Sequence, residues 1–313
     1  MKRFASIDLG SNTVRLLVGE QPPGSELAIL REERRIIRLG EGLHKEKRLL
    51  NHRMQLAIDT LNEFRQICSE YGEVFIYAAA TSAVRDASNR DEFVQKVKSE
   101  TGMSLQVIPW QEEASLTLDG VLWKLSPGDD PFITFDIGGG STEYILSRGR
   151  EVLASCGTKL GVVRLTERFI THHPSDPEEH RALSEFLSDE LGKVQQQLGS
   201  PPTGKLVGTA GTVTTLAALD LNIFPYDEEK IHGSTLSIKR VEELLENLKA
   251  MTLEERVKLQ PLEKGREDLI IAGATVALET MRAFECDTLT VSEYALREGL
   301  LLRAQAIAAK QTT

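Results

Sequence analysis

Cysteine is scarce in this chain. Its 313 residues carry three, Cys68, Cys156 and Cys286, far apart and without paired spacing. That excludes a disulfide framework and a thiolate zinc site, and it fits a reducing compartment with the three thiols as small buried groups. Long apolar runs are missing too. The best candidate, Leu269 to Leu278, is too short to cross a bilayer. The apolar stretch near the start meets Asp8 before the core of a secretory leader could form. The expectations are therefore a cytoplasmic location and no membrane contact. Positive charge is in deficit: a formal net charge of −10 excludes a generally basic nucleic-acid binder. Neither G-x-G-x-x-G nor a glycine loop followed by Lys-Ser or Lys-Thr occurs, so the dinucleotide and Walker fingerprints are absent.

What is present reads as an ordinary globular α/β chain. Hydrophobic residues make up 41% and charged residues 27%, and the length suits two domains with a core each. A boundary is expected near Lys124-Leu125-Ser126-Pro127-Gly128-Asp129-Asp130-Pro131, dividing residues 1–125 from 126–313. Helical spacing of Met54, Ala57, Ile58, Leu61, Phe64 and Cys68 precedes a strand-like Val74-Phe75-Ile76-Tyr77. A polar turn at Thr81-Ser82 leads into another helix, and Leu105 to Ile108 reads as a strand feeding a helix with Glu112 and Glu113. Later, Ser175 and Glu178 have capping-box spacing before a helix that buries Leu183, Phe186, Leu187, Leu191, Val194 and Leu198 and ends at Gly199 and the prolines Pro201 and Pro202. Trp123, Phe169 and Phe186 are expected in the core, and His172-His173 in an exposed loop without a metal role. Residues 31–53 hold eight Lys or Arg against four Glu, a local excess of four that also reads as a solvated face.

An internal echo organises the whole. Ser6-Ile7-Asp8-Leu9-Gly10-Ser11-Asn12-Thr13 and Phe135-Asp136-Ile137-Gly138-Gly139-Gly140-Ser141-Thr142 each run from an apolar strand through Asp into a turn rich in Gly and hydroxyls, then into a second strand. Such turns let successive backbone N–H groups converge on one point, a nest for phosphate oxygens. One alone is commonplace. Three, at 10–13, 138–142 and 208–212, make coincidence harder to sustain. A carboxylate beside bound phosphate would repel it, so Asp8, Asp136 and Glu143 are candidate Mg²⁺ ligands, although the two aspartates suit turn capping equally well.

Taken in order, Asp8-Leu9-Gly10-Ser11-Asn12-Thr13, Ala80-Thr81-Ser82-Ala83-Val84-Arg85, Glu112-Glu113-Ala114, Asp136 to Glu143, Gly208-Thr209-Ala210-Gly211-Thr212 and Leu296-Arg297-Glu298-Gly299 resemble the exopolyphosphatase and guanosine pentaphosphate phosphatase family over essentially the whole chain. The resemblance implies a two-domain α/β actin-like fold with the active site in a cleft between the domains. It also implies Mg²⁺, with room for a monovalent cation such as K⁺, and release of orthophosphate from polyphosphate or guanosine pentaphosphate; guanosine tetraphosphate is a further expected ligand, and a homodimer the expected assembly. Carried over by position, Glu113, with Glu112 in reserve, orients or deprotonates the attacking water. Arg15 and Arg85 face the phosphate chain, and Gly10, Ser11, Asn12, Thr13, Gly138, Gly139, Gly140, Ser141, Thr142, Gly208, Thr209, Gly211 and Thr212 bind phosphate. His232-Gly233 matches a family motif without an assigned role. Two departures stand out. Pro109-Trp110-Gln111 occupies an approach where relatives often place Gly, which bears on which glutamate points inward. The chain also ends soon after Gly299, where longer relatives carry a further helical module, so short or medium polyphosphate is expected. The same loops also suit an ATP-dependent small-molecule kinase or a non-catalytic nucleotide sensor.

Overall fold

The computed structural model describes residues 2–22, 24–199 and 204–310. They form two compact units. One runs to Trp123 and takes the chain back from Leu296, and the other is Lys124–Ala295.

The first unit holds a five-stranded sheet of β1 (Lys2–Leu9), β2 (Thr13–Gln21), β3 (Ala28–Ile36), β4 (Val74–Ala80) and β5 (Leu105–Val107), in the order β3-β2-β1-β4-β5. β1, β2 and β3 form an antiparallel meander, and β4 and β5 join parallel to β1. β1 is buried on both faces, which is why it reads as a continuous apolar run rather than an alternation. Ala5, Ile7 and Leu9 face the helix Asn51–Ser69 through Met54, Ala57, Ile58, Leu61 and Phe64, the positions set by helical spacing. Phe4, on the opposite face, packs with Leu17 and Leu27 against Leu301 and Ala304 of the helix Leu296–Lys310. That final helix thus belongs to the first unit, whereas a division at 125/126 by chain order puts it with the second. Burial decides the matter: each leucine it covers contributes about 1.5–3 kcal/mol.

The second unit repeats the plan. β6 (Phe132–Ile137), β7 (Thr142–Arg148) and β8 (Glu151–Thr158) form the meander, and β9 (Leu206–Thr209) and β11 (Thr288–Val291) follow in parallel, with β10 (Thr235–Ser237) antiparallel at the edge. The order β10-β11-β9-β6-β7-β8 is that of the first sheet with one added edge strand. A doubled sheet of this kind, with helices between its parallel strands, is the α/β actin-like architecture. The echo in the sequence is the echo of the two β-hairpins that open the units.

The helix Pro177–Gln197 buries Leu183, Leu187, Leu191 and Val194, with Phe186 partly buried against Phe169. Its N-cap differs from expectation. Asp176, not Ser175, accepts from the amides of Glu178 and Glu179, with Pro177 in the first turn, while the Ser175 amide donates to the Lys249 carbonyl. Proline lacks an N–H and fixes φ, so it suits the first helical position and shifts the cap to the residue before it. Pro201 and Pro202 lie outside the described residues.

Candidate active site

Each unit builds its glycine-rich turn in the same way. In the first, the Gly10 amide donates to the Thr13 carbonyl at 3.0 Å; in the second, the Gly138 amide donates to the Ser141 carbonyl at 2.9 Å. In both, a Cβ on the glycine would press on that carbonyl, at 3.1 and 3.2 Å.

The backs of the turns are held by their carbonyls. The Gly138 and Gly139 carbonyls accept from the amides of Val162 and Val163, at 3.0 and 2.8 Å, and the Gly140 carbonyl accepts from Arg164 Nε at 3.2 Å. A trans peptide points its N–H opposite to its C=O. With those three carbonyls drawn toward the helix Val162–Phe169, the amides of Gly139, Gly140 and Ser141 face the other way, forming a nest for an anion. Gly161 makes this possible, since a Cβ there would lie 2.2 Å from the Gly140 carbonyl carbon. In the first unit the Ser11 carbonyl accepts from Gly40, and the Asn12 carbonyl from Ile37 and Arg38, which turns the amides of Asn12 and Thr13 outward in the same sense. Gly161, Arg164 and the 37–40 segment escaped the sequence reading, because docking of a distant backbone onto a turn leaves no local pattern.

Ser11 and Asn12 are buried, and Ser11 Oγ and Asn12 Oδ1 find no hydrogen-bond partner among the described residues. The Thr81 amide donates to the Leu9 carbonyl at 3.3 Å, which brings Ser82 alongside, its Oγ also buried and unpartnered. Arg85, on the short helix Ser82–Asp86, donates from Nη1 to Glu113 Oε2 at 2.6 Å and to the Ile108 carbonyl at 3.0 Å. Glu113 is buried. Glu112, one residue earlier on the helix Trp110–Lys124, is part-exposed and lies 3.8 Å from Arg303. The two glutamates thus point to different neighbours. The loop ahead of them is filled by Trp110, whose ring lies 3.7 Å from the Arg85 guanidinium carbon.

Asp8 is buried at the end of β1 opposite Arg15. Burial pushes its carboxyl up to about 6; Arg15 and Arg297 oppose the rise and Glu298 adds to it. Asp136 and Glu143 sit opposite each other on the antiparallel strands β6 and β7, both buried and on one face of the sheet. Facing buried carboxylates favour a cation between them, and two carboxylates completed by water and phosphate oxygens are a common Mg²⁺ donor set. Asp136 and Glu143 therefore fit that ion. Asp8 belongs to the first unit, and no cluster of three potential metal-ligating side chains occurs among the described residues.

The third loop opens the helix Ala210–Asp220. The Gly208 carbonyl accepts from Ser292, and Thr209 Oγ1 donates to the Tyr294 carbonyl. Ala210 adopts φ of 67°, and a Cβ on Gly211 would fall 1.7 Å from Arg266 Nη1. Arg266, invisible in the sequence reading, is thus packed on this loop. Thr212 is buried against Gly273. Within the charge run 31–53, Arg31 pairs with Glu33, Arg35 with Glu33 and Glu63, and Arg53 with Glu41. His172 is exposed beside Glu179, while His173 is half-buried and contacts Arg256. His232 contacts the Lys124 carbonyl and lies edge-on to Tyr294. No described helix is long and apolar enough to cross a membrane.

Exopolyphosphatase 2 of Mycobacterium tuberculosis is 33% identical over 314 residues, covering 96% of this chain and 98% of that one. The guanosine-5'-triphosphate,3'-diphosphate pyrophosphatase of Vibrio vulnificus is 29% identical, covering 95% of this chain and 58% of its own length. Among solved structures, an exopolyphosphatase from Cytophaga hutchinsonii matches with a TM-score of 0.90 at 28% identity, over 97% of this chain and 98% of that one. An Aquifex aeolicus Ppx/GppA family member matches with a TM-score of 0.82 at 36% identity, over 99% and 98%. The Ppx/GppA phosphatase family model matches residues 17–306, and the chain belongs to that family.

Proposed function

We propose that the chain hydrolyses the terminal phosphoanhydride bond of inorganic polyphosphate, of guanosine pentaphosphate or of both, releasing orthophosphate in a reducing, cytoplasmic setting. The observation that carries this reading is the capture of the Gly138, Gly139 and Gly140 carbonyls by the helix Val162–Phe169, which leaves three successive amides for phosphate oxygens. The turn at 10–13 supports it with the same construction.

In the proposed reaction a water oxygen forms a bond to the terminal phosphorus while the bond to the bridging oxygen breaks. The electron pair stays on the shortened chain, and a water proton passes toward Glu113. Buried beside Arg85, Glu113 holds one orientation and positions the water in line. Arg15 and the free edge of Arg85 take phosphoryl oxygens, as do the amides and hydroxyls of Gly10–Thr13, Gly138–Thr142 and Gly208–Thr212. Asp136 and Glu143 would hold Mg²⁺, which when bound neutralises charge on the phosphate oxygens.

Incubation of the purified protein with tripolyphosphate or guanosine pentaphosphate and Mg²⁺ is expected to release orthophosphate. Glu113→Gln is expected to lower kcat by about 10²–10⁴-fold. Full turnover by that variant would end the assignment, and the ratio of rates on the two substrates gives the preference.

A further inference from the structure

Trp110 lies over a group of the proposed site. Its ring is 3.7 Å from the Arg85 guanidinium carbon. Arg85 is held in its own plane as well, since Nη1 divides its donors between Glu113 Oε2 and the Ile108 carbonyl. A guanidinium pinned over its face by a ring and in its plane by two acceptors has little rotational freedom left. Its other edge is unused: Nε and Nη2 are buried and find no hydrogen-bond partner among the described residues. Unpaired buried donors are costly, and the Nε–Nη2 edge has the spacing that matches two oxygens of one phosphoryl group.

We propose that Trp110 is a positioning residue: its ring fixes the plane of Arg85, so that one nitrogen holds the Glu113 carboxylate while the Nε–Nη2 edge waits for two oxygens of the terminal phosphoryl group. This rests on the hydrolase reading above and adds to it a residue that touches neither substrate nor water. An arginine free to rotate could still bind phosphate. It would lose the fixed relation between the phosphoryl group and the carboxylate that orients the water, and small misplacement of that kind is expensive in rate. The loss should therefore appear in kcat more than in KM.

Three variants separate the ring from its bulk. Trp110→Phe keeps an aromatic face, Trp110→Leu keeps apolar volume without one, and Trp110→Gly keeps neither. With tripolyphosphate and Mg²⁺, Trp110→Phe is expected within about threefold of wild type, while Trp110→Leu falls about tenfold or more in kcat, with a smaller change in KM. Equal kcat for Trp110→Leu and Trp110→Phe would show that the ring acts only by filling space, and would overturn the proposal. A second readout does not depend on turnover. The chain has two tryptophans, so in Trp123→Phe/Glu113→Gln the emission reports Trp110 alone. Saturating tripolyphosphate, with binding confirmed by calorimetry, is expected to change that emission as the neighbouring guanidinium is neutralised, and Arg85→Lys is expected to reduce the change. Unchanged emission on confirmed binding would overturn the proposal. A wild-type protein that releases no phosphate would instead sink the hydrolase reading, leaving the emission experiment to decide the role of Trp110.

Discussion

Asp136 and Glu143 are register partners on adjacent antiparallel strands, so two buried carboxylates share one face at the mouth of the Gly138–Thr142 turn. Two buried carboxylates so placed can offer oxygens to one cation. Mg²⁺ is expected to raise the melting temperature of the wild type, by an amount equivalent to about 2.7 kcal/mol at a hundredfold excess over Kd. Asp136→Asn is expected to remove most of that increase. Thermal melts with Mg²⁺ and with EDTA make the comparison, and an undiminished Mg²⁺ effect in the variant would rule out this pair as the ion's ligands.

Arg85 and Glu113 form a pair with side-chain exposures of only 11% and 6%. Removing the cation leaves a buried carboxylate under-compensated, so Arg85→Ala is expected to cost about 3 kcal/mol. Adding Glu113→Gln should recover part of it, because the neutral amide needs no counter-charge. Denaturant unfolding of the single and double variants measures the coupling; strict additivity would show that the two side chains do not interact.

Gly299 lies where the helix Leu296–Lys310 crosses the helix Trp110–Lys124, and a Cβ there would sit 1.8 Å from the Leu116 carbonyl oxygen. Backbone cannot yield as a side-chain tip does. Gly299→Ala, although it raises helix propensity, is expected to destabilise the first unit by about 1–3 kcal/mol. A melting temperature at or above wild type would mean that the helices separate at little cost.

His180 packs within the second unit, with Nε2 3.3 Å from Thr275 Oγ1, and burial pushes its imidazole down to about 4 from 6.5. Lys249 and Arg282 push the same way, against Glu246. The fold thus favours the neutral ring, and the unfolded chain takes up the proton first as pH falls. Its contribution is complete above about pH 6.5 and is lost toward pH 4, by up to about 1.4 kcal/mol per pH unit. His180→Gln should therefore gain on the wild type in melting temperature between pH 7 and pH 5, by several degrees. A constant difference across that range would contradict the assignment.

Local chemistry made much of this molecule legible. The helix Asn51–Ser69 buries the residues that its spacing selects, and both hairpins fall where an apolar run meets Asp, Gly and hydroxyls, because both depend on neighbours a few residues away. The cap at Asp176 shows the limit of even that logic, since Pro177 moved it by one residue.

The amino-acid order by itself determined the doubled hairpin plan, the sites of the three glycine turns and the acids at their strand ends, because strand patterning and turn chemistry act over short stretches of chain. Tertiary structure alone decided that Leu296–Lys310 returns to the first sheet, that Gly161 and Arg164 back the second turn, and that Trp110 covers Arg85 while Glu113, not Glu112, pairs with it. Those are contacts between segments distant in sequence or across a helix face, fixed by which surfaces lose water together and which polar groups must then find partners.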